Sequence, residues 1–593
     1  MAKAKGVTWD LSFLYSSVDD PKIRKDLKAA AELADKFVSE YRGKISSKDC
    51  NAAVLLKAIA DMEKLYRRAA APYHYASLKF SEDTQNPKHL SLVNDIRARF
   101  TDISNKLVFF NVELMKMPDK TADAILKDKS FDFYKFWLQE ARKSKPFTLT
   151  EKEEQVINLK DSTGSAAFVQ LYEEFTGAFS FMMTVDGKRK TMTEEEVESF
   201  FTSPDRKMRK KAYDSFYSVY EDKAKIITSI LNTLIRDHYN EGKLRGWPGP
   251  MTPAYLRDQV TQETIDNLIN VVVANYSQAE RYYRVKAKML KLKVLHGYDR
   301  SAPVGKDHKI LWEDGRKMVV DAYTAFDGEV GKRAQMFFDK KWIDAETRAG
   351  KRGGAFCSGV MPDLNPVVLM SWMDKMSDAF TLAHELGHGL HDLYAAEKQG
   401  ILTYHPPLVA AETASVFGEM LLTDKLLKEA KNAEMKRDIL CRQLEGVFNT
   451  CSRQIMYIAF EKRIHEEGAQ KSLSPEEICK MWEEEESKIY KDSIVFHPLQ
   501  HYYWARIGHF FFARFYCFAY AFGKLFVLAL YQRYLEDPKS FIPAYKEMLR
   551  AGGQMPPAEL AAKLGMDITK PEFWAAGFRY VEKLLSELES VTK

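Results

Sequence analysis

The chain has 593 residues, more than one hydrophobic core usually supports, so we expect two or more packed parts. Hydrophobic residues make up 46% of the chain and charged residues 29%, a composition that is typical of globular proteins and excludes extensive disorder. The formal net charge is only +5, which gives no electrostatic reason to expect nucleic acid or an anionic membrane as a partner.

Cysteine usage and the first residues indicate the compartment. The 6 cysteines form no CxxC pair, and so few thiols in so long a chain do not make a disulfide framework. The opening segment, MAKAKGVTWD, lacks the apolar stretch of a secretory signal peptide. Both observations favour a cytoplasmic protein.

In the N-terminal third, apolar residues recur at three- and four-residue spacing, which predicts amphipathic helices. These helices are expected over Asp26–Tyr41, Ala52–Tyr75, Leu90–Met115 and Glu151–Leu159. Strand-like alternation is scarce, so the sequence predicts a mainly α protein with a small β component.

The clearest β signal is a hairpin over Phe179–Met192, where Asp186-Gly187 separates two short β-prone runs. Directly after it, Thr193 and Glu196 have the spacing of a capping box, which predicts the start of a helix.

Further along, Ser203-Pro204 predicts the start of a long helix that ends in the glycine- and proline-rich region Gly242–Pro253. Ala349–Pro366 is predicted to be irregular, and helices resume after it. The segment Ile507–Tyr531 is apolar, but one histidine and two basic residues interrupt it, so we expect a buried helix pair rather than a membrane span. We predict a helical N-terminal part over 1–200 and a larger, helical C-terminal part over 201–593.

The motif HExxH occurs once, at His384, Glu385 and His388. On a helix, residues four apart stand one turn above each other, so both imidazoles can reach one metal ion while Glu385 faces a ligand of that ion. Zinc suits such a site, since it binds imidazole nitrogen and its catalytic sites combine three protein ligands with one open position. Cobalt or manganese could occupy the same ligands.

The third ligand distinguishes the classes of zinc peptidase. In a metzincin it would stand six residues after the second histidine, but that position is Tyr394. A gluzincin instead uses a glutamate from a later helix. Glu412 lies in a run of small, apolar residues, where a carboxylate is costly unless it is paired or bound to metal. We predict Glu412 as the third ligand.

Two further residues are predicted to support the ligands. Glu419 follows Glu412 by two helical turns, so it shares its face and could orient a ligand imidazole. His391 lies on the same face as the two motif histidines, and we interpret it as supporting or packing, because a fourth ligand would close the site.

Five segments of this sequence resemble oligoendopeptidase F, within the thimet-oligopeptidase-like zinc peptidases. They are Trp9–Tyr15, Ser203–Arg209, Arg352–Cys357, the HELGH motif with AETASVFGE after it, and the aromatic run His509–Gly523. The resemblance extends over nearly the whole chain. It implies one zinc ion per chain, held by His384, His388 and Glu412, and a mainly helical fold that encloses a deep channel for short peptides.

The polar tips within the aromatic run, on His509, Tyr516 and Tyr520, are candidates for the group that stabilises the oxyanion or contacts substrate. Phe511 and Phe518 stand where the resemblance leads us to expect tyrosine, so neither position offers a phenol donor.

A second candidate for substrate contact precedes the metal motif. The backbone of Gly353, Gly354 and Ala355 could bind an extended substrate by strand addition.

We therefore expect a metalloendopeptidase that hydrolyses internal bonds of short, unfolded peptides, in which Glu385 activates a zinc-bound water for attack on the scissile carbonyl. An aminopeptidase is disfavoured, because no G-x-M-E-N-type segment precedes the motif. A dipeptide-releasing carboxypeptidase of the same fold and an inactive, peptide-binding zincin are the alternatives. The sequence leaves the oligomeric state open.

Overall fold

The computed structural model describes residues 3–305 and 308–592, apart from the side chains of Glu151 and Leu408. Twenty-five α-helices lie within these described residues and confirm the mainly α fold. The first twelve are α1 Pro21–Tyr41, α2 Ala52–Glu82, α3 Pro87–Lys116, α4 Asp119–Lys127, α5 Lys135–Lys143, α6 Glu151–Asp161, α7 Ser165–Gly177, α8 Glu194–Ser199, α9 Arg206–Arg245, α10 Thr252–Asp258, α11 Gln262–Ala274 and α12 Tyr276–Met289. The others are α13 Trp312–Phe326, α14 Gly328–Asp339, α15 Met376–Ala395, α16 Leu408–Ala411, α17 Thr413–Glu429, α18 Ala433–Val447, α19 Arg453–Gly468, α20 Pro475–Tyr490, α21 His509–Phe512, α22 Phe518–Glu536, α23 Pro538–Arg550, α24 Pro557–Ala562 and α25 Pro571–Thr592.

The β structure is limited to short strands. They are β1 Phe181–Val185, β2 Lys188–Met192, β3 Leu295–His296, β4 Ile343–Asp344, β5 Phe356–Ser358, β6 Val367–Leu369 and β7 Ile494–Val495. These strands form an antiparallel pair of β1 and β2, a parallel pair of β3 and β7, and a three-stranded sheet in the order β4-β6-β5.

The chain forms two compact units, and each draws on three separate segments. The first unit comprises the described residues of Met1–Pro146, Asp307–Lys425 and Arg533–Asp567. The second comprises those of Phe147–Lys306, Leu426–Gln532 and Ile568–Lys593. The predicted division into 1–200 and 201–593 stays a prediction, because compactness alone does not define folding domains.

Helices α1, α2 and α3 pack together in the first unit around buried side chains such as Phe37, Leu65 and Phe110. Helices α1 and α3 begin with the same kind of N-cap. Asp20 and Asn86 each accept a hydrogen bond from a backbone N–H in the first helical turn, and each is followed by a proline. A proline at this position has no N–H that would remain unpaired.

The three-stranded sheet also belongs to the first unit, and β6 is its buried centre. Beneath it, the buried Lys351 side chain donates to Asp344 Oδ1 at 2.7 Å and to nearby backbone carbonyls, so this charge is fully paired. β5 forms one edge. The prediction that Ala349–Pro366 is irregular was therefore wrong for Phe356–Ser358, because pairing with β6 imposes an extended backbone that its glycine-rich flanks do not indicate.

In the second unit, the predicted long helix is α9, with 40 residues. It begins two residues later than Pro204, because Asp205 accepts the Lys207 N–H and so acts as the N-cap. It ends where Gly246 adopts a φ of 70°, a left-handed conformation that glycine adopts without steric cost.

The predicted hairpin is confirmed as the pair of β1 and β2, in which Val185 is opposite Lys188. Asp186 and Gly187 have φ values of 54° and 75°, as a tight turn between twisted strands requires. The capping box of Thr193 and Glu196 is also present.

The late apolar segment forms the short helix α21 and the long, buried helix α22, as predicted. Among the described residues, none of the helices combines the length and the apolar character that crossing a membrane requires. All six cysteines are free thiols.

Candidate metal centre

Helix α15 carries the HExxH motif. At its start, Asp378 Oδ2 accepts the backbone N–H groups of Met373 at 2.6 Å and of Lys375 at 2.9 Å, which holds the segment before the helix against its first turn. One turn apart on this helix, the rings of His384 and His388 lie 4.9 Å from each other. Both rings thus face one point beside the helix.

Glu412 reaches the same point from the junction of α16 and α17. Its Oε2 lies 3.3 Å from His384 Nε2 and 3.5 Å from His388 Nε2. The same oxygen accepts a hydrogen bond of 2.7 Å from Ser415 Oγ, which fixes the orientation of the carboxylate. One donor atom from each of the three predicted ligands lies within 4.8 Å of the others.

Glycine allows α15 and α17 to approach each other closely. A Cβ atom at Gly387 would overlap the Ala414 carbonyl, and one at Gly418 would overlap the hydroxyl of Tyr323. That hydroxyl donates to the carbonyl of Ala383 at 2.6 Å, on the residue before the first histidine. The Tyr323 hydroxyl thus contacts both α15 and α17 where the two helices pack against each other.

Both imidazoles are held from behind. His384 Nδ1 lies 2.7 Å from Glu419 Oε1, and His388 donates to the carbonyl of Ala411. Glu419 is a carboxylate and can only accept, so Nδ1 of His384 carries a proton, and Nε2 is the ring atom directed toward Glu412. Metal-binding histidines in proteins are oriented in this way.

The charges around the triad suit a cation. Burial alone would lower the pKa of His384, but the carboxylates of Glu412 and Glu419 outweigh burial and raise this pKa to about 10. Burial opposes ionisation of Glu412, but His384 and His388 together lower its pKa to about 2. The cluster therefore holds a proton where a metal ion could bind instead.

Glu385 is buried beside the triad, with 6% of its surface exposed. Burial is the main cause that raises its pKa to about 7, while the charge of His384 and a hydrogen bond from the Cys357 backbone act in the opposite direction. A carboxylate with a pKa near neutral can accept and release a proton at physiological pH.

The triad and Glu385 line a cavity of about 370 Å³. Residues of β5 and the loops around it form another part of the wall. Of the three residues predicted to bind substrate by strand addition, Ala355 lines this cavity. Gly354 has a left-handed φ of 81°, and a Cβ atom added at Gly353 would meet nothing within 4 Å.

His391 also lines the cavity and is buried. Burial lowers its pKa to about 3, so the ring is neutral at physiological pH. Its predicted supporting role stays a prediction.

The other predicted site residues lie in the second unit. His509 Nε2 is 3.1 Å from the Tyr520 hydroxyl, and the rings of His509 and Tyr516 are stacked at 5.7 Å. All three side chains are at least partly exposed. Phe511 and Phe518 are fully buried, so these two positions belong to the core of the unit.

The sequence interpretation missed Ser415 and Tyr323. Ser415 follows Glu412 by three residues, a spacing that brings side chains together on a predicted helix and could have indicated contact. Tyr323 lies far upstream, and nothing in its neighbourhood in the sequence indicates that its hydroxyl reaches Ala383.

Two sequence profiles match the chain. The profile of Peptidase family M3 matches residues 199–311 and 319–580, and that of Oligopeptidase F matches residues 113–181. Together they cover most of the chain, including every candidate ligand.

Individual proteins resemble it along nearly its whole length. The chain is 27% identical to Oligopeptidase PepF from Bacillus subtilis over 98% of this chain and 87% of that protein. It is also 27% identical to the Oligoendopeptidase F homolog of Lactococcus lactis, over 99% and 97% of the two chains. A solved structure from Chlamydophila abortus has 25% identity and a TM-score of 0.88, and covers 99% of this chain and 98% of that chain. Oligoendopeptidase-F from Enterococcus faecium, at 21% identity, has the same fold with a TM-score of 0.69 over 96% and 99% of the two chains.

Proposed function

Because this chain belongs to peptidase family M3 and to its oligoendopeptidase F group, we propose that it is a zinc-dependent endopeptidase that hydrolyses internal bonds of short, unfolded peptides. The observation that carries this proposal is the convergence of His384, His388 and Glu412 in one cavity with the buried carboxyl group of Glu385.

The three residues fit a zinc ion. Two imidazole nitrogens and one carboxylate oxygen are ligands that zinc prefers, and three protein ligands leave a position open. One ring nitrogen of each histidine is already hydrogen-bonded, that of His384 to Glu419 and that of His388 to the Ala411 carbonyl. The other nitrogen of each ring is therefore the one that faces the proposed ion. We assign one zinc ion per chain to His384, His388 and Glu412.

When bound, zinc supplies a Lewis acid that polarises the scissile carbonyl and makes water more acidic. In the proposed reaction, the Glu385 carboxylate accepts a proton from the attacking water and delivers it to the departing amine nitrogen. Glu419 keeps the His384 proton on Nδ1, and Ser415 orients Glu412.

The edge of β5 is the proposed surface for the substrate backbone. Since β5 pairs with β6 on one side only, an extended peptide could add to its other edge by backbone hydrogen bonds. Gly353, Gly354 and Ala355 lead into this strand, and Ala355 reaches the cavity. Replacing Gly354 by proline removes an N–H and forbids its positive φ, so we expect KM to rise.

We further propose that the polar tips of His509, Tyr516 and Tyr520 stabilise the oxyanion or contact substrate. Their support is the presence of partly exposed polar groups in an apolar segment that resembles an oligoendopeptidase F motif. A deep channel, which would admit short peptides and exclude folded proteins, rests on that resemblance alone. Location in the cytoplasm is inferred from the free thiols.

The test is hydrolysis of a quenched fluorescent peptide of about ten residues, with identification of the cleaved bond. We expect internal cleavage that a chelator abolishes and added zinc restores. Glu385→Gln should lose activity by about 10²–10⁴-fold while it still binds zinc, because it lacks only the proton acceptor.

Glu263→Gln, an exposed residue on α11, is the matched control and should remain active. Full activity of Glu385→Gln would contradict the assigned role. Blocking the two ends of the peptide in turn distinguishes the alternatives: loss of cleavage when the carboxyl end is blocked would indicate a dipeptide-releasing carboxypeptidase. A protein that binds zinc and cleaves none of a varied peptide library would instead be a binding protein.

A further inference from the structure

Asp392 is an acidic residue of the cavity that the reaction described above does not use. It follows His388 by one turn of α15, and its side chain lines the same cavity as the three proposed ligands. The carboxylate lies against Gly359, where a Cβ atom would overlap Oδ2. The loop after β5 thus leaves room for this carboxylate at the cavity wall.

Among the described residues, no lysine, arginine or histidine forms an ion pair with Asp392, and no group donates a hydrogen bond to its carboxylate. The Tyr404 hydroxyl donates at 3.3 Å to the backbone carbonyl of Asp392 instead. Burial raises the pKa of Asp392 to about 7, and no neighbouring charge offsets that increase. This differs from Asp344, a fully buried aspartate whose carboxylate pairs with Arg348 and Lys351.

The other titratable groups on the cavity wall do not neutralise it. Burial lowers the pKa of both His391 and His405, so neither ring is a cation at physiological pH. When all four are ionised, the carboxylates of Glu385, Asp392, Glu412 and Glu419 carry four negative charges, which is more than one divalent ion offsets. The cavity therefore favours positive charge beyond that of the metal.

An unpaired, half-buried carboxylate is costly to the fold, so it is better explained by a ligand that pairs with it than by stability. The wall beside it is partly apolar, with Phe356, Pro406 and Ala411. An alkyl chain that ends in a cation matches both features, since its stem can pack on apolar atoms while its charged end meets the carboxylate.

We propose that Asp392 binds the lysine or arginine side chain of a peptide substrate, at a residue next to the cleaved bond. The inference rests on the proposed function, because it concerns which peptides that reaction accepts. Asp392 is in this sense a residue that determines specificity.

The experiment uses blocked, quenched peptides of one sequence in which the residue on either side of the cleaved bond is lysine, arginine, glutamine or norleucine. Norleucine reproduces most of the lysine stem without the charge. With the zinc-loaded, full-length protein, we expect kcat/KM for lysine to exceed that for norleucine by about 10- to 100-fold at one of the two positions.

Asp392→Asn should reduce this lysine-to-norleucine ratio to near one, and Asp392→Glu should restore part of it. Asp339→Asn, an exposed aspartate of the same unit, should leave the ratio as in the wild type. Zinc content and the melting temperature verify that each variant is folded.

The comparison of the four peptides with the wild-type protein can overturn the proposal even if a variant does not fold. Equal kcat/KM for all four side chains at both positions would overturn the role of Asp392 and leave the proposed peptidase intact. A preference that persists in Asp392→Asn would overturn it as well. If the zinc-loaded protein cleaves none of these peptides or of a varied library, the proposed function fails, and this inference fails with it.

Discussion

The paired helices α15 and α17 and the segment His509–Tyr520 both place polar groups among apolar ones, but they hold them differently. In the helix pair, two of the three proposed ligands are held by a second side chain: Glu419 lies behind His384, and Ser415 lies beside Glu412. In the aromatic segment, His509 approaches the Tyr520 hydroxyl and stacks on the ring of Tyr516, and all three side chains are at least partly exposed.

This difference indicates two kinds of contribution. A ligand that is fixed from behind loses little freedom when it binds a metal ion, so its orientation is part of the affinity. Partly exposed phenols can reorient, and a group that contacts substrate only during the reaction needs this freedom. We therefore expect substitutions in the helix pair to reduce zinc affinity, and substitutions in the aromatic segment to reduce kcat at full zinc occupancy.

The largest effect is expected for Glu412→Ala. It removes one of three ligands and the carboxylate that faces both imidazoles, so zinc affinity should fall by at least about 10³-fold and activity with it. Competition with a chelating dye measures the affinity, and Glu263→Ala serves as the control. Unchanged zinc content in Glu412→Ala would show that another group is the third ligand.

Much of this candidate site could be predicted from the sequence, because the spacing of residues along a regular helix determines the direction in which their side chains point. The arrangement of His384, Glu385 and His388 follows from their positions within little more than one helical turn. Glu419 lies two turns beyond Glu412, so its position on the same face could also be predicted. A carboxylate among small, apolar residues also indicated Glu412, since an acid there needs a partner.

What could not be predicted depends on contacts between distant segments. The hydroxyl of Tyr323 reaches the carbonyl of Ala383, and the carboxylate of Asp392 lies against Gly359, but neither pair has a pattern in the sequence. The strand β5 forms only because β6 pairs with it. In the same way, two units built from interleaved segments cannot be derived from local periodicity.

The next largest effect is expected in the aromatic segment. If Tyr516 or Tyr520 donates to the oxyanion, replacing that residue by phenylalanine should lower kcat by about 10²–10³-fold with little change in KM or zinc content. Tyr239→Phe provides a control on α9. Normal kcat in both variants would remove the two phenols from the mechanism and leave His509 as the remaining candidate.

A smaller effect is expected for Glu419→Gln. The amide oxygen can still accept the His384 Nδ1 proton, but it lacks the charge that makes the imidazole a stronger ligand. Zinc affinity should fall by about 10- to 100-fold, while kcat at saturating zinc stays near that of the wild type. A loss of kcat with unchanged affinity would instead place Glu419 in the reaction itself.

The smallest effect is expected from Gly418→Ala, which tests the packing that positions both helices. The new methyl group must displace the Tyr323 hydroxyl and weaken its bond to Ala383, so the zinc-free protein should be destabilised by about 1–3 kcal/mol. Gly446→Ala in α18 is the matched control: a Cβ atom there meets nothing within 4 Å, and alanine favours a helix by up to about 1 kcal/mol over glycine. Thermal unfolding should therefore shift to a lower temperature for Gly418→Ala and to an equal or higher temperature for Gly446→Ala. If both variants unfold at the wild-type temperature, the packing of these helices does not depend on the close approach at Gly418.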